Sequence, residues 1–261
     1  TRCIPKAPLP LKEIGMENKT CAIVPVYRHG KTLAGVIDGL ARSGLPVIVV
    51  DDGNDAETKE YIGRARGLPG FEDLVVLPEN RGKGGAVIAG FLRAAELGFT
   101  HAIQIDADGQ HDMEPIARFL EESRLSPDLL VCGYPVFDES VPSSRKNGRK
   151  VTNFWVAIEP LSREMKDSMC GFRLYPLGPT CRLARRWRHG LRMTFDIEIL
   201  IRLYWRGVPV RFLPIKVRYP EGGISNFRMV RDNVEISLMH ARLFFGMLPR
   251  IPLLLARKAM R

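Results

Sequence analysis

Short apolar runs and helical periodicities alternate along the first half of the chain. Residues 21–27 (Cys21-Ala-Ile-Val-Pro25-Val-Tyr27) read as a strand, and residues 31–43 place Leu33, Val36, Ile37 and Leu40 at helical spacing. Strand 46–50, helix 55–66, strand 73–77, helix 84–97, strand 101–105, helix 114–124 and strand 128–133 follow. Such alternation predicts an α/β fold with a parallel, doubly wound sheet. Beyond Tyr134 the rhythm changes. A polar loop is expected over 138–150, then a helix near 150–162, a strand near 169–175, helices near 178–188 and 194–206, and a strand at 209–219. Residues 230–247 read as an amphipathic helix. Val234, Leu238, Ala241 and Phe245 recur on one stripe, Ile236, Met239 and Leu243 widen it, and Arg231, Asp232, Glu235 and Arg242 mark the polar side. Pro249 and Pro252 are expected to break the chain before the apolar run 251–256. The apolar stretches fall short of the ~18 residues that a transmembrane helix requires. The expected organisation is an extended leader over 1–19, an α/β domain over 20–227 and amphipathic interface helices over 228–261.

Charge sharpens this picture. The 261 residues carry a net charge of +10, but residues 1–139 sum to −6 and residues 140–261 to +16. The basic half calls for a polyanionic partner: nucleic acid, anionic lipid headgroups or substrate phosphates. Nucleic acid fits poorly, because exposed aromatics are not interleaved with the basic residues. The five cysteines show no CxxC spacing and are odd in number. They read as reduced thiols of a cytoplasmic protein, and no secretory leader is expected.

The chemistry concentrates in Ile103-Gln-Ile-Asp106-Ala-Asp108-Gly-Gln110-His111. A buried strand ends there in two carboxylates at i, i+2, followed by glycine and glutamine. At the carboxyl end of a parallel strand, these residues supply hard oxygen ligands for Mg²⁺ or Mn²⁺ held largely by substrate phosphates. Val47-Ile-Val-Val-Asp51-Asp52-Gly53 has the same form. Asn80-Arg-Gly82-Lys83-Gly84-Gly85 lies where a strand hands over to a helix, so its amides can approach a phosphate or sugar; it lacks the Walker spacing. Arg145, Lys146, Arg149 and Lys150 form a basic cluster in the long loop. It suits a diphosphate or lipid phosphate, or is simply a solvated run of charge. In Phe195-Asp196-Ile-Glu198, the i, i+2 spacing lets at most one acid face a cleft.

Taken in order, Val24-Pro25-Val26-Tyr27, Val50-Asp51-Asp52-Gly53, Asn80-Arg-Gly-Lys83-Gly84, Asp106-Ala-Asp108-Gly-Gln110-His111, Asp167-Ser-Met-Cys-Gly171-Phe172-Arg173 and Phe195-Asp-Ile-Glu198 resemble family-two glycosyltransferases. The likeness spans about residues 20–227 and points in particular to the dolichyl- or polyprenyl-phosphate mannose or glucose synthase branch. It implies a GT-A fold and a metal-dependent, inverting hexosyltransferase using a UDP- or GDP-sugar. The site would lie at the cytoplasmic face of a membrane, on a peripheral protein beside an anionic surface. Pro25, Tyr27, Val50 and Asp52 would hold the nucleotide, with Asp52 accepting from the base edge, and Lys83 and Asp106 would meet the donor. Asp106, Asp108 and Gln110 would hold Mn²⁺ or Mg²⁺ on the diphosphate. Arg145, Arg149, Arg173, Arg218 and Ser225 would face sugar or acceptor phosphates.

Two departures bear on the acceptor. The synthases usually have Asn-Glu after the tyrosine, where this chain has Arg28-His29, and the Lys usually found after the serine is absent behind Ser225. A phosphate acceptor needs no strong base, whereas a lipid hydroxyl would need Asp196 as one. Both acceptors stay open, as do a catalytically silent scaffold with the same fold and a sugar-nucleotide pyrophosphorylase. The last lacks its glycine-rich basic N-terminal signature.

Overall fold

The computed structural model describes residues 18–136, 152, 154–162, 164–187, 190–217 and 228–259. Residues 1–17 of the expected leader and the 138–150 loop lie outside the described residues. Strands β1 (Thr20–Val26), β2 (Val47–Asp52), β3 (Phe71–Leu77), β4 (His101–Gln104), β5 (Leu130–Val136), β6 (Arg173–Pro176) and β7 (Val210–Lys216) form one sheet in the order 3-2-1-4-6-5-7. All neighbours pair in parallel except β6, which runs antiparallel to both β4 and β5. The expected strand and helix alternation is therefore present as far as β5. The strand expected near 169–175 is the short β6, inserted in the opposite direction.

Helices α1 (Gly30–Arg42), α2 (Ala56–Ala65) and α4 (Ile116–Leu125) cover one face of the sheet. Helices α3 (Lys83–Glu96), α5 (Leu177–Ala184), α6 (Phe195–Trp205) and α7 (Met229–Met247) cover the other. Strand periodicity divides the core between them. Cys21, Ile23, Ile48 and Val50 point toward the α3 side, and Ala22, Val24, Val47 and Val49 toward the α1 side. Burial on both faces is why these strands read as unbroken apolar runs rather than alternating ones. The chain leaves β1 for β2 and β3 on one side, then returns to β4 on the other. The carboxyl ends of β1 and β4 thus flank the switch point where open α/β sheets bind ligands.

β2 runs on through Asp51 and Asp52, because these residues pair with Val76 and Leu77 of β3. The thiols Cys21, Cys132 and Cys181 are free and buried, and Cys170 is buried as well. Burial pushes Cys21 and Cys132 up to about 12, which leaves them unreactive.

The C-terminal segment corrects two expectations. Pro249 sits in a single 3₁₀ turn (Leu248–Arg250), and Pro252 is the second residue of helix α8 (Ile251–Ala259). A first-turn proline gives up no helical hydrogen bond, so neither residue stops the chain. Val230–Ala259 is one helical run, long and apolar enough by length and composition to cross a membrane. The single apolar stripe also divides in two. Met239, Leu243, Met247 and Leu254 are buried against the domain, while Val230, Val234, Leu238, Phe245 and Leu248 are exposed on the opposite face. The run is pinned near its end as well. Arg257 Nη1 donates to the Trp205 carbonyl at 2.9 Å, and the Arg250 guanidinium lies 4.9 Å over the Trp205 ring.

The closeness of α3 to the sheet depends on Gly90. A Cβ there would fall 2.5 Å from Ile23 Cγ2 and 3.2 Å from Val50 Cγ2. Gly63 in α2 meets nothing within 4 Å. In urea unfolding, Gly90→Ala should therefore lose about 1–3 kcal/mol by overpacking, whereas Gly63→Ala should gain roughly 0.5–1 kcal/mol. Equal effects would contradict the packing described.

Candidate active site

The two acidic strand ends at the switch point do different work. Asp51 accepts from the Asn54 amide at 3.0 Å and from Asn54 Nδ2 at 2.7 Å. Asn54 in turn donates to the Val26 carbonyl and accepts from the Arg28 amide, both at 2.8 Å. Arg28 is thereby held at φ 63°, with its guanidinium 5.1 Å from the Tyr27 ring centre. Asp52 closes the glycine-rich loop. It accepts from the Arg81 amide at 2.7 Å, the Gly82 amide at 3.0 Å and Asn80 Nδ2 at 2.8 Å. Its carboxylate is buried and already bonded within the chain. In this arrangement it braces the loop over residues 80–82 from behind.

The loop that Asp52 closes delivers Lys83 to the centre of the site. Lys83 Nζ lies 2.8 Å from Asp106 Oδ1, 2.9 Å from Asp106 Oδ2 and 2.8 Å from Asp196 Oδ2. Asp196 Oδ1 accepts from Gln104 Nε2 at 2.9 Å, and Tyr175 donates to Gln104 Oε1 at 3.3 Å. Burial alone would weaken the Lys83 ammonium, but Asp106 and Asp196 hold its pKa well above the ordinary lysine range. Burial likewise opposes the charge on Asp106. Lys83 and then His111 overcome it and keep that carboxyl well below the usual range. His111 Nε2 stands 3.9 Å from Asp106 Oδ2, and its ring meets Phe172 edge-on.

Glu198 turns away, as the i, i+2 spacing requires. It is bound by Arg202 Nε and Nη2 at 2.9 and 2.7 Å, and Arg242 Nη2 is 3.4 Å away. Arg173 is also not in the cleft. Its guanidinium is fully buried and donates to the carbonyls of Asp196 and Ser168, so it braces the start of α6 rather than facing a phosphate. Val50 points into the core beside Ile23 and Gly90, which leaves only its backbone for a nucleotide. Pro25 pairs with Val50 at the carboxyl ends of β1 and β2, and Tyr27 stands half-exposed just beyond. Arg145, Arg149, Arg218 and Ser225 lie outside the described residues. Gln104 and Tyr175, which fix Asp196, read in the sequence only as members of apolar strands. Nothing in their spacing marks them.

Among the described residues, no three His, Cys, Asp or Glu side chains converge as a metal cage. Asp106, Asp108 and Gln110 nevertheless fit a divalent ion of the kind held by one or two carboxylates together with substrate phosphates. All three offer oxygen, and Asp106 and Asp108 are partly exposed on the turn after β4. Asp108 Oδ1 accepts the Gln110 amide at 3.0 Å, which shapes that turn.

Comparison with known proteins agrees with this geometry. The family model for glycosyl transferase family 2 matches residues 21–187. A dolichyl-phosphate beta-glucosyltransferase of Dictyostelium discoideum is 26% identical over 82% of this chain and 72% of that protein. An undecaprenyl-phosphate mannosyltransferase of Micrococcus luteus is 31% identical over 60% of this chain and 66% of its own length. The fold matches the mannosyltransferase PcManGT from Pyrobaculum calidifontis in complex with GDP-Man and Mn²⁺. There the TM-score is 0.56 at 17% identity, covering 93% of this chain and 75% of that one.

The Asp52 clasp has a measurable consequence. Hydrogen bonds to a charged acceptor contribute about 1.5–3 kcal/mol each. Asp52→Ala should therefore speed amide exchange at Arg81 and Gly82 by about tenfold or more, with β1 protection unchanged. Unaltered exchange at both amides would show that the loop holds without Asp52.

Proposed function

The chain belongs to glycosyl transferase family 2, and on that premise we propose that it moves a sugar from a UDP- or GDP-sugar to a dolichyl or polyprenyl phosphate at the cytoplasmic face of a membrane. The observation that carries this reading is the state of Asp196. One carboxylate oxygen is paired with the Lys83 ammonium and the other with Gln104. An acid so engaged is poorly placed to take a proton from a hydroxyl. A lipid phosphate needs no such help, because its attacking oxygen is already an anion.

In this mechanism the phosphate oxygen attacks the anomeric carbon as the bond to the nucleoside diphosphate breaks, with inversion. Pro25, Tyr27 and the backbone at Val50 line the nucleotide side, and the loop closed by Asp52 lies under the diphosphate. Asp106, Asp108 and Gln110 would hold Mn²⁺ or Mg²⁺, which when bound neutralises charge on the leaving diphosphate. Gln104 and Arg173 hold Asp196 and the start of α6 in place. The basic residues Arg145, Arg149 and Arg218, together with Ser225, remain our candidates for the acceptor phosphate.

The exposed face of α7 supports peripheral attachment. It carries Val230, Val234, Leu238 and Phe245, and residues 228–261 hold 7 Lys/Arg against 2 Asp/Glu. An apolar face with a cationic rim is the pattern of an interfacial helix. The contacts of Met239, Leu243, Met247, Leu254 and Arg257 with the domain argue against a crossing segment.

Two experiments test the reading. With purified protein and a nucleotide sugar, polyprenyl phosphate should become glycosylated and polyprenol should not. Asp196→Asn should keep turnover on the phosphate within about tenfold, against the 10²-fold or greater loss expected for a general base. Transfer to polyprenol, abolished in this variant, would make the acceptor a hydroxyl. For the membrane, deleting the helices would open the core, so the exposed face is altered instead. Leu238→Glu with Phe245→Glu should abolish flotation with anionic liposomes without loss of fold, and wild-type flotation should weaken as salt rises. Equal flotation of both proteins would refute the interfacial assignment.

A further inference from the structure

Lys83 is in an unusual place for a cation. It is the first residue of α3, so its ammonium lies beside the positive end of that helix, where cations are disfavoured. What holds it there is the pair of carboxylates, Asp106 and Asp196, each within 2.9 Å. The surroundings are shaped around the ammonium. A Cβ at Gly171 would clash with Nζ and would stand 3.0 Å from both Asp106 Oδ2 and Gln104 Nε2. Only glycine leaves that space free. Both oxygens of Asp106, one of the residues suited to a divalent ion, are thus already occupied by a resident charge.

We propose that Lys83 is a positioning residue that competes with the divalent metal for Asp106, so that the site takes up metal together with the donor diphosphate and not before it. A lone Mn²⁺ approaching Asp106 meets the ammonium in a partly buried setting, where repulsion between like charges is only weakly screened. A diphosphate changes the balance, because its oxygens give the ammonium an alternative partner and release Asp106 to the metal. The space left at Gly171 and the Gln104 bond to Asp196 keep the ammonium beside Asp196 throughout, so that only its hold on Asp106 is exchanged. This inference rests on the metal-dependent reading above.

The test is Mn²⁺ binding to the full chain, followed by electron paramagnetic resonance of the free ion, with no sugar transfer involved. Wild type should bind Mn²⁺ weakly alone and at least tenfold more tightly with UDP or GDP present. Lys83→Met should bind Mn²⁺ alone about tenfold or more tightly than wild type, and Lys83→Arg should restore weak binding. Gly171→Ala is a second route to the same result, since it displaces the ammonium while keeping both carboxylates and the lysine. Adding Asp106→Asn to either variant should remove the gain. If folded Lys83→Met or Gly171→Ala binds Mn²⁺ alone no better than wild type, the competition does not exist. If wild type fails to bind Mn²⁺ even with both nucleotides, the metal-dependent reading falls, and this inference with it.

Discussion

The ion cluster of Lys83, Asp106 and Asp196 ties together at one point three parts of the chain that are far apart in sequence. Lys83 opens α3, Asp106 follows β4, and Asp196 lies in the first turn of α6. Charges withdrawn from water are costly unless paired, and losing one member of a buried pair leaves the others uncompensated. The position of α6 against the sheet is therefore coupled to the loop before α3. Arg173 adds a second tie from β6 to the same turn through the Asp196 carbonyl. The antiparallel β6 brings Gly171 and Arg173 to the cluster from a direction that a purely parallel sheet would not offer.

Around this cluster the carboxylates at strand ends fall into two groups by what their oxygens touch. Asp51 and Asp52 spend theirs on backbone and amide donors of neighbouring loops, fixing Asn54, Arg81 and Gly82. They build the floor of the cleft. Asp106 and Asp108 retain exposure, and Asp106 is met by the Lys83 ammonium. A fixed amide does not yield to a ligand, whereas a lysine side chain can swing aside. That difference separates scaffold from site more clearly than sequence spacing does.

The C-terminal helices follow the same economy of faces. Residues 230–259 are apolar enough overall to satisfy the criteria for a membrane span, yet the apolar positions occupy two opposite faces. One face completes the core beside Trp205. The other, with Val230, Val234, Leu238 and Phe245, is left exposed. Apolar residues on two opposite faces are what give this helix its high mean hydropathy.

Much of this was legible in the sequence because it depends on local periodicity. The alternating strands and helices through β5 and the helix 229–247 follow from spacing that the backbone must respect. The ordered motifs also placed the family. What the sequence could not carry is the direction of a strand and the partner of a side chain. β6 has the composition of any buried strand, and its antiparallel course is set by pairing with residues 41 to 75 positions away. Arg173 and Asp52 look like ligand-binding groups in their motifs. Only the tertiary contacts show Arg173 donating to two backbone carbonyls and Asp52 accepting from loop amides. The apolar stripe of α7 was visible as a pattern, but a 3.6-residue period does not say which apolar face meets the core. The pairing of Lys83 with two acids 23 and 113 residues away was decided by the fold alone, because electrostatic partners are chosen by distance in space and not along the chain.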